Sequence, residues 1–183
     1  RPPVTHSNHV GVARANSSSR VVFSQPYEQA LIIQHESNAY CFLTLDKMGL
    51  SVTDAALFRH EIGALLTCDP AHVMVFCSHS HATPNTDSAA PNGSRYLQEA
   101  LSKCLTAIRT ALPRSVTVKA GWGYTHAEIG KNRREGCTAN DTRVGLLRFA
   151  HAETGAPIAA ILRATAHGNT LTEGNLLISS DYF

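Results

Sequence analysis

Apolar residues along the 183-residue chain follow two patterns, one typical of strands and one typical of helices. Short apolar runs rich in β-branched or aromatic residues, and strict alternation of apolar with polar residues, predict β-strands. Strands are predicted in this way at residues 10–15, 28–35, 39–45, 73–78, 116–120, 144–150 and 157–165. Short polar turns separate the second strand from the third and the sixth from the seventh. Each of these pairs is therefore predicted to form a hairpin.

Two other segments carry apolar residues at helical spacing. The first covers residues 53–67, where Ser51 followed three residues later by Asp54 resembles an N-terminal capping arrangement. The second begins at Ser94, the expected N-cap, and ends at Pro113. Helices and strands that alternate loosely, with hairpins among them, predict an α/β (α+β) fold. We expect a mixed β-sheet with packed helices, a layered sandwich with its site at strand ends.

Two polar segments follow neither pattern. Residues 1–9 contain two prolines and are expected to form a loose arm, and residues 121–140 are expected to be irregular.

Hydrophobic residues make up 43% of the chain and charged residues 16%, which is typical of one globular domain over residues 1–183. A net charge of +2 without a basic run argues against a nucleic-acid partner. No apolar run approaches the ~20 residues that a membrane helix needs.

The cysteines bear on the cellular compartment. Their number, five, is odd and includes no Cys-x-x-Cys pair, which favours a reduced, cytoplasmic protein. Cys41, Cys77 and Cys104 lie in apolar surroundings, where cysteine acts as a small hydrophobic residue. Three Asn-x-Ser/Thr patterns would also suit a secreted protein, but they are too frequent to decide. The sequence leaves cytoplasmic and secreted locations open, and it does not define the oligomeric state.

The strongest candidate chemistry follows the strand predicted at residues 73–78. His79 and His81 come directly after it, and in an extended chain residues i and i+2 point to the same side. Neutral imidazole is a common zinc ligand, so a metal site is the first hypothesis. The alternative is that these are two ordinary loop histidines in a chain that contains ten.

A third histidine occupies an equivalent place. His167 follows the strand predicted at residues 157–165. If the two strands are neighbours, three imidazoles converge, and three nitrogens around zinc with one open position are typical of hydrolytic sites. Such a metal polarises a carbonyl group and activates water near neutral pH. Loops that carry arginines would supply positive charge for a tetrahedral oxyanion.

Several motifs, in the same order along the chain, are similar to those of the neutral/alkaline (non-lysosomal) ceramidase family. They are Leu-Thr-Leu-Asp at 43–46, Ser-His-Ser-His-Ala-Thr-Pro at 78–84, Lys-Asn-Arg-Arg at 131–134, Ala-His-Gly-Asn at 166–169 and Asn-Leu-Leu-Ile-Ser-Ser-Asp-Tyr at 175–182. The second resembles the family's Thr-His-Thr-His-Ser-Gly-Pro, and the last its Leu-Ile-Ser-x-Asp-Tyr run. Each motif alone is weak, but the ordered set over residues 10–183 is fairly specific.

The resemblance implies a zinc-dependent hydrolase of amide bonds. Members of this family split ceramide (N-acylsphingosine) into sphingosine and a fatty acid, so a lipid or small-molecule amide, or a related ester, is the expected substrate. The family's remaining zinc ligands, a glutamate and a tyrosine, lie further along its chain. We therefore expect this sequence to be the N-terminal part of a ceramidase-like catalytic domain, truncated at its C-terminus and inactive on its own.

The resemblance also assigns roles to individual residues. His79 and His167 would bind Zn²⁺. His81 would line the site and hydrogen-bond the substrate or the oxyanion, with a supporting role as the alternative. Arg133 would stabilise developing negative charge; the alternatives are that Arg134 does so or that this is an ordinary solvated loop. These four residues form the predicted site.

Two aspartates and two aromatic residues are weaker candidates. Asp46 and Asp181 are expected to support the site or to cap loops, and not to bind the metal. Trp122 and Tyr124 are expected either to line a substrate groove or to anchor a loop.

Other functions remain to be weighed against the hydrolase. One is a non-catalytic binding or scaffold domain that kept the fold and lost the chemistry. Another is a different metalloprotein with a His-x-His pair. The metallo-β-lactamase pattern needs an Asp-His soon after the pair, and here Asp87 is followed by Ser88. The cupin pattern needs a glutamate a few residues later, and residues 82–87 contain none. Both are therefore disfavoured.

Overall fold

The computed structural model describes residues 3–6, 23–24, 26–85, 87, 89–171 and 174–181. Its strands are β1 Pro3–His6, β2 Glu28–His35, β3 Asn38–Leu45, β4 Val73–Cys77, β5 Val116–His126, β6 Arg143–His151 and β7 Pro157–Arg163. Its α-helices are α1 Val52–Leu66 and α2 Gly93–Ala111, and each is followed by a short 3₁₀ turn, Pro70–His72 or Leu112–Arg114. Neither α-helix in this described part is long and apolar enough to cross a membrane.

The strands are hydrogen-bonded in the order β4-β3-β2-β1-β5-β6-β7. Strands β3 and β4 are parallel, and the other neighbouring pairs are antiparallel. Strand β1 connects two halves, because it pairs with β2 on one side and, over two residue pairs, with the start of β5 on the other. The fold is therefore α+β, with a mixed half at β4-β3-β2 and an antiparallel half at β5-β6-β7, and the expected fold class is confirmed.

Alternation along β2 divides the interior into two cores. Ala30 and Ile32 face one side, where they pack with apolar side chains of α1 and α2, including the fully buried Phe58. Leu31, on the opposite face of β2, packs with Val118 of β5 and with side chains of β6 and β7. The mixed half therefore lies between the helices on one face and the antiparallel half on the other, as a layered sandwich.

Helix α1 places β4 beside β3. Its N-terminus is capped by Ser51, whose side chain accepts a hydrogen bond from the Asp54 amide at 3.0 Å. Its C-terminus ends at Thr67, which has the left-handed conformation. Because this helix forms the crossover between two parallel strands, the C-terminal residues of both strands meet at one edge, with Leu45 opposite Cys77.

Replacing Ser51 with alanine should destabilise the protein by about 1 kcal/mol, because the first turn of α1 loses the side-chain acceptor for the Asp54 amide. Urea unfolding followed by circular dichroism measures this loss. Ser102→Ala is the matched control, since Ser102 is exposed in the interior of α2 and alanine is the better helix former there. Equal stability of the two variants would contradict a capping role for Ser51.

Many of the predicted elements are present with nearly the expected bounds. Strand β2 spans the predicted residues 28–35, and it forms the predicted hairpin with β3. Strands β6 and β7 form the second hairpin. Helix α1 is shifted by one residue from the predicted 53–67, and Ser51 caps it as expected. These elements have strong local patterns and local turn partners.

Other predictions were wrong. The N-cap of α2 is Asn92 and not Ser94; Asn92 has the left-handed conformation and makes no side-chain capping bond. Strand β5 continues to His126, so the first six residues of the segment expected to be irregular are extended. Residues Pro3–His6, expected in a loose arm, form β1. The strand predicted at residues 10–15 lies outside the described residues.

The five cysteines are free thiols. Cys41 of β3 and Cys104 of α2 are buried in the core between the helices and the mixed half, and Cys77 is half-buried, in agreement with their apolar surroundings in the sequence. Burial raises the pKa of Cys41 to about 12. At neutral pH this thiol is therefore protonated, and it acts as a packing group and not as a nucleophile.

Candidate metal centre

The three histidines selected from the sequence come together in the folded chain. The ring centroids of His79, His81 and His167 lie 4.8–5.2 Å apart in pairs. One potential ligand atom from each residue lies within 4.8 Å of the others, and all three side chains are exposed. A set of three imidazoles open to solvent on one side fits the donor set of a zinc site that retains a free coordination position.

His79 reaches this cluster by a sharp turn of the backbone. The parallel pairing of β3 and β4 continues past the strand end, where the Ser78 amide donates to Leu45 O at 3.0 Å. The His79 amide then donates to Lys47 O at 2.9 Å, and His79 itself has a φ of +64°. The extended conformation expected for the His-x-His pair was therefore wrong at His79, although the two rings do converge.

The ring of His79 is held by a backbone carbonyl. Its Nδ1 lies 2.5 Å from Met48 O. A carbonyl oxygen can only accept, so Nδ1 carries the proton and donates it to Met48 O, which leaves Nε2 with a free lone pair. Histidines that bind metals commonly have their other ring nitrogen fixed in this way. The tautomer of His79 is thus the one that a metal ligand needs.

His81 is placed by its buried neighbour Ser80. The Ser80 hydroxyl donates to Ser179 O at 2.9 Å, and the Ser179 amide donates to Ala82 O at 2.9 Å. The residues on both sides of His81 are therefore tied to one segment near residue 179. Because hydrogen bonds hold the residues on both sides of His81, its exposed ring extends from a fixed backbone position.

The same segment also holds the loop that carries His167. The Asp181 carboxylate accepts hydrogen bonds from the Thr170 amide at 2.9 Å, from the Thr170 hydroxyl, and from the Leu171 amide at 3.2 Å. Asp181 is itself fixed, because its amide donates to the Ser179 hydroxyl at 2.9 Å. The chain at 179–181 thus connects the His81 and His167 loops. Asp181 acts on the backbone of the His167 loop and is not one of the three clustered groups.

Asp46 stabilises the turn that follows β3. Its carboxylate accepts from the Tyr27 amide at 2.9 Å, and its own amide donates to Tyr27 O at 3.0 Å. Burial raises the pKa of Asp46, and the hydrogen bond from Tyr27 opposes that rise. Asp46 therefore ties the turn after β3 to the residue before β2. It directly precedes Lys47 and Met48, whose carbonyls hold His79.

Arg133 lies on the exposed loop between β5 and β6. Hydrogen bonds within the loop shape it; the Asn140 amide group, for example, donates to Gly130 O at 2.7 Å. A Cβ at Gly130 would lie 2.7 Å from Thr165 O, so the loop touches the backbone two residues before His167. Arg133 makes no hydrogen bond or ion pair within the described part of the chain. Its loop nevertheless contacts the chain just before His167.

Trp122 and Tyr124 are strand residues of β5 and not loop anchors. They are 80% and 67% exposed and line a shallow groove of about 750 Å³ with Arg143 and Arg163. Asp141 accepts hydrogen bonds from both arginines, and these bonds hold the pKa of its carboxyl well below the usual range. The groove thus combines exposed aromatic rings with a fixed charge cluster.

Sequence reasoning missed the residues that position the histidines. Lys47, Met48 and Ser179 act largely through backbone groups, and no side-chain motif marks such a role. Ser80 could have been singled out, because a small polar residue between two clustered histidines is well placed to fix both. The buried Lys47 could have been noticed as a second charged residue, next to Asp46, just beyond an apolar strand.

A scan against known protein families finds no match for this chain, and a search of curated proteins finds none either. Solved structures do match. Neutral ceramidase from Pseudomonas aeruginosa has a TM-score of 0.77 at 15% identity, over 98% of this chain and 34% of that one. A ceramidase complexed with C2 has a TM-score of 0.75 at 15% identity, over 98% of this chain and 33% of that one. This chain is therefore similar in fold to about a third of these ceramidases, in agreement with the resemblance of its motifs.

Proposed function

We propose that this chain supplies part of the active site of a zinc-dependent, ceramidase-like hydrolase of amide bonds. The convergence of His79, His81 and His167 carries this proposal, because it joins three residues that the sequence motifs select independently of the fold. Similarity in fold to ceramidases supports the same class of reaction. The substrate would be an N-acyl lipid such as ceramide, or a related amide or ester.

His79 and His167 would hold Zn²⁺, each through one ring nitrogen. When bound, zinc supplies Lewis acidity toward a carbonyl oxygen and makes water nucleophilic near neutral pH. The protein's contribution is to fix the ligand geometry before the metal arrives. The Met48 carbonyl does so for His79, and Asp181 does so for the loop of His167.

His81 and Arg133 would act on the substrate. A ring 4.9–5.2 Å from the two ligand rings is well placed to donate a hydrogen bond to the oxygen of a carbonyl bound at the same site. Arg133, on the loop that contacts the chain just before His167, would stabilise the negative charge that develops on that oxygen. Asp46 and Asp181 would support these residues without touching the substrate.

Three imidazoles do not complete a catalytic centre by themselves. This chain spans about a third of the length of the ceramidases that it matches. In the family that the motifs resemble, a glutamate and a tyrosine further along the chain complete the zinc site. Hydrolytic turnover is therefore expected of a polypeptide that also contains such groups, whereas zinc binding is testable on the present chain.

The test is elemental analysis of the purified chain after incubation with Zn²⁺ and removal of free metal. One zinc per chain, removed by a chelator and restored by added zinc, would support the proposal. Hydrolysis of a fluorescent short-chain ceramide by a longer polypeptide that also contains the completing groups, measured with and without chelator, then tests the reaction. A folded chain that holds no zinc would refute the metal site, and a non-catalytic binding or scaffold domain would become the better assignment.

A further inference from the structure

A buried ion pair lies behind the histidine cluster. Lys47 Nζ and Glu28 Oε1 are 3.4 Å apart, and their side chains are only 2% and 5% exposed. The second carboxylate oxygen of Glu28 is buried and has no hydrogen-bond partner among the described residues. Burial raises the pKa of Glu28 although Lys47 attracts the charged form, so desolvation outweighs the attraction at this carboxyl. Such a pair contributes little net stability, and apolar residues would serve a core at least as well.

The backbone of Lys47 shows what the pair holds in place. Lys47 O accepts the His79 amide at 2.9 Å, and the next carbonyl, Met48 O, accepts from Nδ1 of the His79 ring at 2.5 Å. The turn is tight, because the Lys47 amide donates to Leu45 O at 2.9 Å. Two successive carbonyls of this turn therefore set both the left-handed backbone of His79 and the tautomer of its ring.

We infer that the Glu28–Lys47 pair is a positioning device for His79. Its side-chain contact anchors residues 46–48 to β2, and the anchored carbonyls hold His79 with Nδ1 protonated and Nε2 free. Both charges are needed for this contact, since Lys47 without Glu28 would be a buried charge that has lost its ion-pair partner. This inference deepens the proposed function, because it concerns a ligand of the proposed zinc site.

The test is a double variant, Glu28→Leu with Lys47→Met, which replaces the pair by apolar side chains of similar size. Its stability is expected to be unchanged or higher. The ¹⁵N chemical shifts of the His79 ring, recorded at a pH where the ring is neutral, report the tautomer without any metal. We expect a protonated Nδ1 in the original chain and a mixture of tautomers in the variant. The affinity for Zn²⁺ should fall about 10–100-fold, the range for lost supporting contacts of a metal ligand.

The control is the double variant Arg95→Met with Glu99→Leu, which removes an exposed ion pair on α2 in the same way. It should leave both the tautomer and the zinc affinity unchanged. Glu28→Met with Lys47→Leu, which removes both charges with the apolar side chains exchanged, gives the same test if the first double variant does not fold.

The inference is overturned if either folded double variant of Glu28 and Lys47 keeps the original tautomer of His79 and the original affinity. The result that would count against the proposed function is instead the absence of zinc binding. If the original chain shows the predicted tautomer but binds no Zn²⁺, the zinc site fails while the positioning of His79 stands on the tautomer measurement.

Discussion

Replacing His79 with alanine should abolish stoichiometric zinc binding. Of the two proposed ligands, His79 is the one whose free ring nitrogen is fixed most directly, through the hydrogen bond between its Nδ1 and Met48 O. Loss of a ligand should lower the affinity by more than the roughly 10–100-fold that loss of a supporting contact costs. Competition with a chromophoric chelator measures the affinity, and elemental analysis measures the metal content.

His60→Ala is the matched control for this change. His60 is an exposed histidine of α1 beside Glu61, and it is outside the cluster. This variant should retain zinc with the original affinity. Circular dichroism of both variants should match that of the original chain, because His79 is exposed and contributes little to the core. Undiminished zinc in His79→Ala would remove this residue from the site.

The histidine cluster could be predicted from the sequence because each histidine follows an apolar strand. The C-terminal ends of β3 and β4 share an edge, which brings His79 and His81 close to the turn after β3. The means of convergence could not be predicted, because the extended geometry assumed for His79 was replaced by a left-handed residue held by two carbonyls. Such backbone hydrogen bonds depend on tertiary contacts, and side-chain patterns do not record them.

The differences between the predicted and the observed fold also arise from tertiary contacts that the local sequence pattern does not record. Residues 121–126 contain two glycines, which are disfavoured in strands, so the composition did not predict a strand although Trp122 and Tyr124 alternate with them. They are extended because β6 pairs with them, from Val118 opposite His151 to His126 opposite Arg143. The hairpin of β2 and β3 was predictable because its two strands and its turn are adjacent in sequence. Local signals thus identified elements that form with sequence neighbours, and they failed where a distant partner decides the conformation.

Removing the Phe58 side chain should have the largest effect on stability. Phe58 is fully buried in the core between α1 and the mixed half of the sheet. Truncation of a buried phenylalanine to alanine costs about 3–5 kcal/mol, since contacts are lost and a cavity remains. For a domain with a total stability of about 5–15 kcal/mol, this is a large share. Urea unfolding of Phe58→Ala, compared with the original chain, measures the loss.

Phe76→Ala provides the comparison for this core truncation. Phe76 lies on β4, is 47% exposed and stacks on Phe42 with ring centroids 6.3 Å apart. Loss of one such aromatic contact should cost only about 1 kcal/mol. Added zinc distinguishes the core variant from the variant of the metal site. A ligand that binds only the folded state, present at 100 times its Kd, stabilises the protein by about 2.7 kcal/mol. Because Phe58 lies in the core and outside the histidine cluster, zinc should stabilise folded Phe58→Ala as much as the original chain and leave His79→Ala unchanged. A similar loss of stability in Phe58→Ala and Phe76→Ala would show that α1 is not packed as described.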